Sequence, residues 1–139
     1  MNYIFITGGV CSGIGKGLLA ASIGRLLQKQ GFKIHVIKFD PYFLESPDNL
    51  NPNEHGEAFV LDDGTVCDLD LGHYKRFIPE LEADYRSSQT SGKIYKKVIE
   101  DSAQGKHQGK TTQLVPHVSN EIIERFQAFE TPNSEMEFT

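Results

Sequence analysis

The residues best placed to do chemistry stand near the start of the chain. They are Gly8-Gly9-Val10-Cys11-Ser12-Gly13-Ile14-Gly15-Lys16-Gly17, set between the apolar run Tyr3–Thr7 and an amphipathic stretch. A Gly-rich turn from strand into helix gathers backbone N–H groups and the positive helix end into one concavity, which suits a polyphosphate. Gly9, Gly13 and Gly15 permit the turns and the close backbone approach, Lys16 reaches the β- and γ-phosphates, and the Ser12 hydroxyl offers a further donor. The spacing is a variant. The common loop keeps four residues between its first Gly and the Gly-Lys pair and follows the pair with Ser or Thr. Here Val10 stands where that first Gly belongs, Gly9 comes one residue early, and Gly17 replaces the hydroxyl residue, so the usual magnesium-binding hydroxyl is absent. A merely tight connection, or a dinucleotide loop, would not call for Lys16 at the helix start. Cys11 lies where a helix end would stabilise a thiolate, but with no obvious His partner it reads as loop packing.

Nucleotide phosphoryl transfer needs a divalent cation, and the cation needs carboxylates. Three sets compete: Asp40, shortly after Lys38; Asp62 and Asp63, after Ala58–Leu61; and Asp68 with Asp70, flanking Leu69. Asp62 ends an apolar run as a Walker B aspartate would, but Gly64 makes a hairpin turn the simpler reading. Asp68 and Asp70 point the same way if locally extended and could together hold magnesium; that one of them caps a following helix is the open alternative. Lys38, at the carboxyl end of its run, falls where open α/β sheets bind ligands, and a ligand role is preferred over that of a solvated edge lysine. His55, Glu57, His73, His107 and His117 show no metal-ligand spacing.

Positioning these groups requires an α/β frame. Tyr3–Thr7 fits a strand buried on both faces and stopped by Gly8-Gly9. From Gly15 to Gln30, Leu18, Leu19, Ser22, Ile23, Leu26 and Leu27 recur at helical spacing, with Gly31 at the expected left-handed cap. Lys33–Phe39 supplies a second strand, so the opening reads as a right-handed strand–helix–strand unit of a parallel sheet. Pro41 to Asn53 marks a long polar loop, Ala58–Leu61 and Thr65–Cys67 a small hairpin about Asp62-Asp63-Gly64. A helix from about Gly92 to Gln104, an extended piece around Gln113–Val115 and a helix from about Ser119 to Phe129 complete the frame. The segment 130–139 is polar, lacks periodicity, and is expected to be a poorly ordered tail.

The totals bound the function. At 139 residues with 38% hydrophobic composition the chain is of single-domain size, and 14 Lys+Arg against 19 Asp+Glu give a net charge of -5, which speaks against nucleic acid as a partner. Two cysteines without ligand-spaced neighbours argue against a disulfide framework or a zinc site. No apolar run approaches the roughly 20 residues of a membrane span, and no leader precedes the first strand, so no membrane partner and a cytoplasmic location are expected. Only two strands look central and parallel, where a doubly wound sheet has about five or six; the chain reads as part of a domain.

Beyond the loop, Lys38-Phe39-Asp40-Pro41-Tyr42, His55-Gly56-Glu57, Asp68-Leu69-Asp70-Leu71-Gly72-His73-Tyr74, Gly92-Lys93-Ile94-Tyr95 and Gln113-Leu114-Val115-Pro116-His117 follow in order. With Gly8–Gly17 they closely resemble the N-terminal synthetase domain of the CTP synthase family, over residues 2 to about 126. The resemblance implies an incomplete P-loop NTPase-like (Rossmann-like) α/β fold, with residues 1–129 forming part of a synthetase domain. It implies a ligase in which ATP with Mg2+ phosphorylates the uracil 4-oxygen of UTP, after which ammonia displaces the phosphate to give CTP. The ammonia comes from glutamine in a C-terminal glutaminase domain, GTP activates, and family members associate through the synthetase domain into homo-oligomers.

Position by position, Gly13, Ile14, Gly15, Lys16, Gly17 and Leu18 would wrap the ATP phosphates. Lys16 and Lys38 would offset charge during transfer, Asp70 would serve ATP and the magnesium, and Ser12, Gln113 and Leu114 would meet UTP or CTP. Asp62 and Asp63 match the family's turn. The departures are Phe43–Asn49, without the family's Gly-Thr, and Pro79–Ser91, one residue longer than the pattern. After Phe129 the second metal carboxylate, the Lys-rich UTP segment, the later strands and the glutaminase domain are not found, so the chain alone is expected to be inactive. The alternative is a truncated, non-catalytic paralogue acting as an interaction or regulatory module of the full-length enzyme.

Overall fold

The helical rows after Gly15 form α1 (Lys16–Lys29), closed by Gly31 at φ +92°, the left-handed cap expected there. Its buried face is built on Ala21 and Gly24, while Leu18, Leu19 and Leu26 remain exposed. Gly24 is there for close approach. A Cβ on it would lie 2.6 Å from Ile78 Cδ1, so only glycine lets α1 pack so closely on the end of α3 (Leu69–Phe77).

The computed structural model describes residues 2–8, 13–46, 51–129 and 136–138, and within them the chain is α/β with parallel strand pairs and flanking helices. The second run divides into β1 (Lys33–Ile34) and β2 (Lys38–Asp40). After the short α2 (Pro52–His55), β3 (Phe59–Val60) and β4 (Val66–Cys67) form the expected antiparallel hairpin. Then come α3, β5 (Ser88–Thr90), α4 (Ser91–Ala103), a kinked turn over Leu114–Val118, α5 (Ser119–Gln127) and β6 (Met136–Phe138). β2 pairs with β5 and β1 with β6, both in parallel.

Several expectations change. Tyr3–Thr7 joins no strand ladder among the described residues, and Phe5 is 65% exposed rather than buried on both faces. A β-rich run becomes a strand only where a neighbour supplies its N–H and C=O partners. Tyr3 and Phe5 pack instead on Phe126 of α5. The piece around Gln113–Val115 pairs with no strand: Gln113 and Val115 are extended, but Leu114–Val118 forms a kinked helical turn. Asp68 and Asp70 do not lie on an extended segment; they open α3. In the tail, Met136–Phe138 forms β6 on Lys33–Ile34, whereas 130–135 and 139 lie outside the described residues.

One apolar core joins α1, the hairpin and α3 through Ala21, Leu61, Cys67, Leu71, Tyr74, Ile78, Leu81 and Ala83. The β5 strand is different: Ser88, Gln89 and Thr90 are buried yet polar, and burial of such groups is tolerable only when they are bonded. Thr90 Oγ1 donates to Leu44 O at 2.5 Å and accepts from the Lys93 N–H at 3.1 Å, capping α4. Gln89 Nε2 donates to Arg86 O at 2.8 Å, and Arg125 of α5 donates to Gln89 Oε1.

Candidate functional site

The parallel pairing of β2 with β5 sets Lys38, Phe39 and Asp40 opposite Ser88, Gln89 and Thr90. At the head of β2 the Lys38 ammonium lies 3.2 Å from Asp40, 3.0 Å from Asp68 and 2.9 Å from Asp70. The hairpin delivers the last two, because β4 runs directly into α3. Asp68 is the N-cap of that helix, accepting the Asp70 N–H at 2.9 Å, and Asp70 sits in its first turn, where the helix dipole favours a carboxylate. Of the two roles open to this pair, Asp68 thus takes the cap while also facing Lys38.

The electrostatics follow from one ammonium set among three carboxylates. Burial by itself would depress Lys38, but Asp40, Asp70 and Asp68 outweigh it and hold the ammonium above its ordinary value. Burial raises the Asp40 carboxyl; Lys38 pulls it down, while Asp68 and Asp70 push it up, and the upward direction prevails because negative charge is in surplus. Asp40 is buried, whereas the Asp70 side chain is 45% exposed and is the carboxylate an incoming group can reach. The His73 ring stands 3.9 Å from Asp70.

The helix end assigned to phosphate lies alongside. Gly15, at φ +93°, is the N-cap of α1, and Gly13 is likewise left-handed at +80°. Lys16 opens the helix, its stem folded toward Gly8, where a Cβ would meet Lys16 Cδ at 3.2 Å. Ile14 and Leu18 are exposed. A Cβ on Gly17 would stand 3.5 Å from the Tyr74 hydroxyl oxygen of α3, which ties the start of α1 to the helix that carries Asp70. Gly9, Cys11 and Ser12, with the pyrimidine contact expected of Ser12, lie outside the described residues, as do Val10 and the loop positions Pro47, Asp48 and Asn49.

Gln113 and Leu114 sit on the kinked turn before α5. The Gln113 N–H donates to His117 Nδ1 at 3.1 Å and Ser119 Oγ to Leu114 O at 3.4 Å; neither bond reaches Lys38 or α1. Asp62 pairs with Lys75, and Asp63 accepts the N–H groups of Thr65 at 2.9 Å and Tyr85 at 2.8 Å, so both carboxylates serve the hairpin turn. A cavity of about 370 Å³, lined in part by His35, Asp63, Glu82 and Arg86, includes none of the predicted site residues.

Among the described residues no group of three or more His, Cys, Asp or Glu forms a cage for a metal. Magnesium does not need one: it is commonly held by one or two carboxylates together with substrate phosphates and water. Asp70, half-exposed and within 2.9 Å of a cation already, has the right chemistry for that arrangement.

The sequence reading missed Asp40 and Asp68 as direct partners of Lys38, and Tyr74 altogether. Tyr74 had a signal: it stands four residues after Asp70, on the same face once the stretch is helical.

The family model described as CTP synthase N-terminus matches residues 2–139, including the stretch set apart above as a tail. The chain is 49% identical over 139 residues to a CTP synthase of Halalkalibacterium halodurans, covering 99% of this chain and 26% of that protein. It is 52% identical over 126 residues to a CTP synthase of Christiangramia forsetii, covering 91% of this chain and 23% of that one. A CTP synthase of Lactiplantibacillus plantarum is 49% identical over 139 residues. The chain spans about a quarter of the length of these curated relatives. With the whole chain matched at this identity, it belongs to the CTP synthase N-terminal family.

Proposed function

We propose that this chain holds the ATP side of a site that aminates UTP to CTP. The observation that carries this reading is the Lys38–Asp70 pair at 2.9 Å on the elements that flank the start of α1. In the proposed reaction the γ-phosphoryl of ATP passes to the uracil 4-oxygen, releasing ADP. Ammonia then attacks C4, the carbon that bears the phosphorylated oxygen, and the C4–O bond breaks to release phosphate. Gly13, Ile14, Gly15, Lys16, Gly17 and Leu18 surround the phosphates with backbone N–H groups, and Lys16 and Lys38 offset the negative charge that develops in transfer. Asp70 would hold Mg2+, which when bound neutralises phosphate charge. Ser12, Gln113 and Leu114 are assigned to UTP or CTP. Ammonia drawn from glutamine, activation by GTP, homo-oligomers and a cytoplasmic setting belong to the same proposal. Among the described residues no helix is long and apolar enough to cross a membrane.

The test is calorimetric titration of the chain with ATP and Mg2+. Binding is expected, and Lys16→Ala is expected to weaken it at least about ten-fold, the scale of losing a charged hydrogen bond; equal affinity would refute the assignment. Because Gln113 and Leu114 make no described bond to the Lys38 cluster, we expect no CTP from UTP, ATP and ammonia. Turnover by the 139-residue chain would overturn that.

A second reading makes the chain a non-catalytic interaction module of longer CTP synthase chains. The apolar side chains that α1 leaves in solvent favour it. It predicts that the chain changes the sedimentation of a full-length relative on mixing.

A further inference from the structure

A common phosphate loop places a hydroxyl directly after its Gly-Lys pair, and Gly17 removes it here. The fold brings another hydroxyl to that place. A Cβ at position 17 would stand 3.5 Å from Tyr74 Oη and 3.7 Å from Tyr74 Cε1, so the phenol reaches the space a Ser or Thr side chain would occupy. Tyr74 is only 7% exposed, but its hydroxyl is not among the buried atoms that lack a partner: no described residue bonds to it, and it opens to solvent, where an incoming group can reach it. Beside it the first helical bond of α1 is Leu19 N–H to Gly15 O at 2.9 Å, which leaves the N–H groups of Gly17 and Leu18 without partners inside the helix. No acidic residue occupies that first turn.

We propose that the Tyr74 hydroxyl donates a hydrogen bond to a phosphate oxygen of the nucleotide seated at the start of α1, on the side where Gly17 presents no side chain of its own. The inference rests on the phosphate-loop reading above and adds to it a binding residue from a different helix. Such a bond is charge-assisted, and it couples the nucleotide to the face of α3 that also bears Asp70.

The experiment titrates ATP with Mg2+ into the wild-type chain, Tyr74→Phe, Lys16→Ala and the double variant Tyr74→Phe/Gly17→Ser, with urea unfolding of each. Phe keeps the ring and its packing. The expected result is a near-unchanged urea midpoint for Tyr74→Phe, ATP affinity lowered about ten-fold, and recovery of affinity when Gly17→Ser restores a hydroxyl on the same spot. Wild-type affinity in Tyr74→Phe, with binding still lost in Lys16→Ala, overturns this proposal and leaves the phosphate loop standing. A Tyr74→Phe chain that loses affinity together with its urea midpoint and is not rescued by Gly17→Ser assigns the tyrosine to packing and also overturns it. Absence of ATP binding by the wild type, or full affinity in Lys16→Ala, overturns the phosphate-loop reading itself and this proposal with it.

Discussion

At the scale of single residues, one ammonium sits at the centre of the candidate site. Lys38 is mostly buried among Asp40, Asp68 and Asp70, and removing it leaves three carboxylates facing one another with no counter-charge. Lys38→Met keeps much of the apolar stem and deletes the charge. We expect it to destabilise the chain by about 3 kcal/mol at pH 8, the lower end for breaking a buried pair, read from urea unfolding. The sign of the pH dependence follows from Asp40, whose folded carboxyl already titrates above its ordinary value. A carboxyl raised on folding gains stability as pH falls through its folded value, so the Lys38→Met defect should shrink by pH 5. A defect of equal size at both pH values would show that the carboxylates are not the cause. Lys38 and Asp70 were legible from their motifs. Asp68 as an immediate partner of Lys38 was not, because nothing local in the chain says that β2 and the start of α3 meet.

At the scale of elements, α3 is the instructive case. A nine-residue helix holding Gly72 and few apolar residues gives weak periodicity, and glycine disfavours a helix interior by up to about 1 kcal/mol relative to Ala. Tertiary packing requires that glycine: a Cβ on it would stand 2.7 Å from Phe59 Cδ2 of the hairpin. Asp68 then does two jobs, capping α3 and facing Lys38, and two substitutions separate them. Asp68→Asn keeps an acceptor for the Asp70 N–H but loses the charge, whereas Asp68→Ala loses both. We expect Asp68→Ala to be less stable than Asp68→Asn by about 1 kcal/mol, the usual worth of a cap; equal urea midpoints would remove the cap from the account. The β5 strand was unreadable for a related reason. Ser88-Gln89-Thr90 carries no apolar signal, and its burial depends on bonds with Leu44 and Arg125, remote in sequence, as well as with nearby Arg86.

At the scale of the whole molecule, His35 lies where distant parts of the chain converge. It is 5% exposed. Its ring packs 4.7 Å from Phe129, over which the Arg86 guanidinium lies at 4.6 Å, while Arg86 Nη1 donates to Ala128 O at 3.0 Å. Its Nδ1 is buried without a partner. Burial and the nearby Arg86 lower its pKa below the ordinary 6.5, against the Glu82 carbonyl and the Asp84 and Glu82 carboxylates, which raise it. A histidine held neutral by folding contributes stability that is complete above its unfolded value and lost as pH falls below it. We therefore expect the chain to lose stability between pH 7 and 5, with a slope of at most about 1.4 kcal/mol per pH unit from this group, and His35→Phe to flatten the profile; an unchanged profile would locate the dependence elsewhere. The α/β class, α1 with its glycine cap, the hairpin, α4 and α5 were determined by the sequence alone, because apolar spacing, turn residues and caps act between near neighbours. Which carboxylates surround Lys38, that a tyrosine of α3 meets the start of α1, and that Met136–Phe138 pairs beside Lys33–Ile34 were decided by the tertiary structure. Apart from Asp40, two residues from Lys38 on the same strand, those contacts join residues far apart along the chain, and only packing of whole elements against one another brings them within reach.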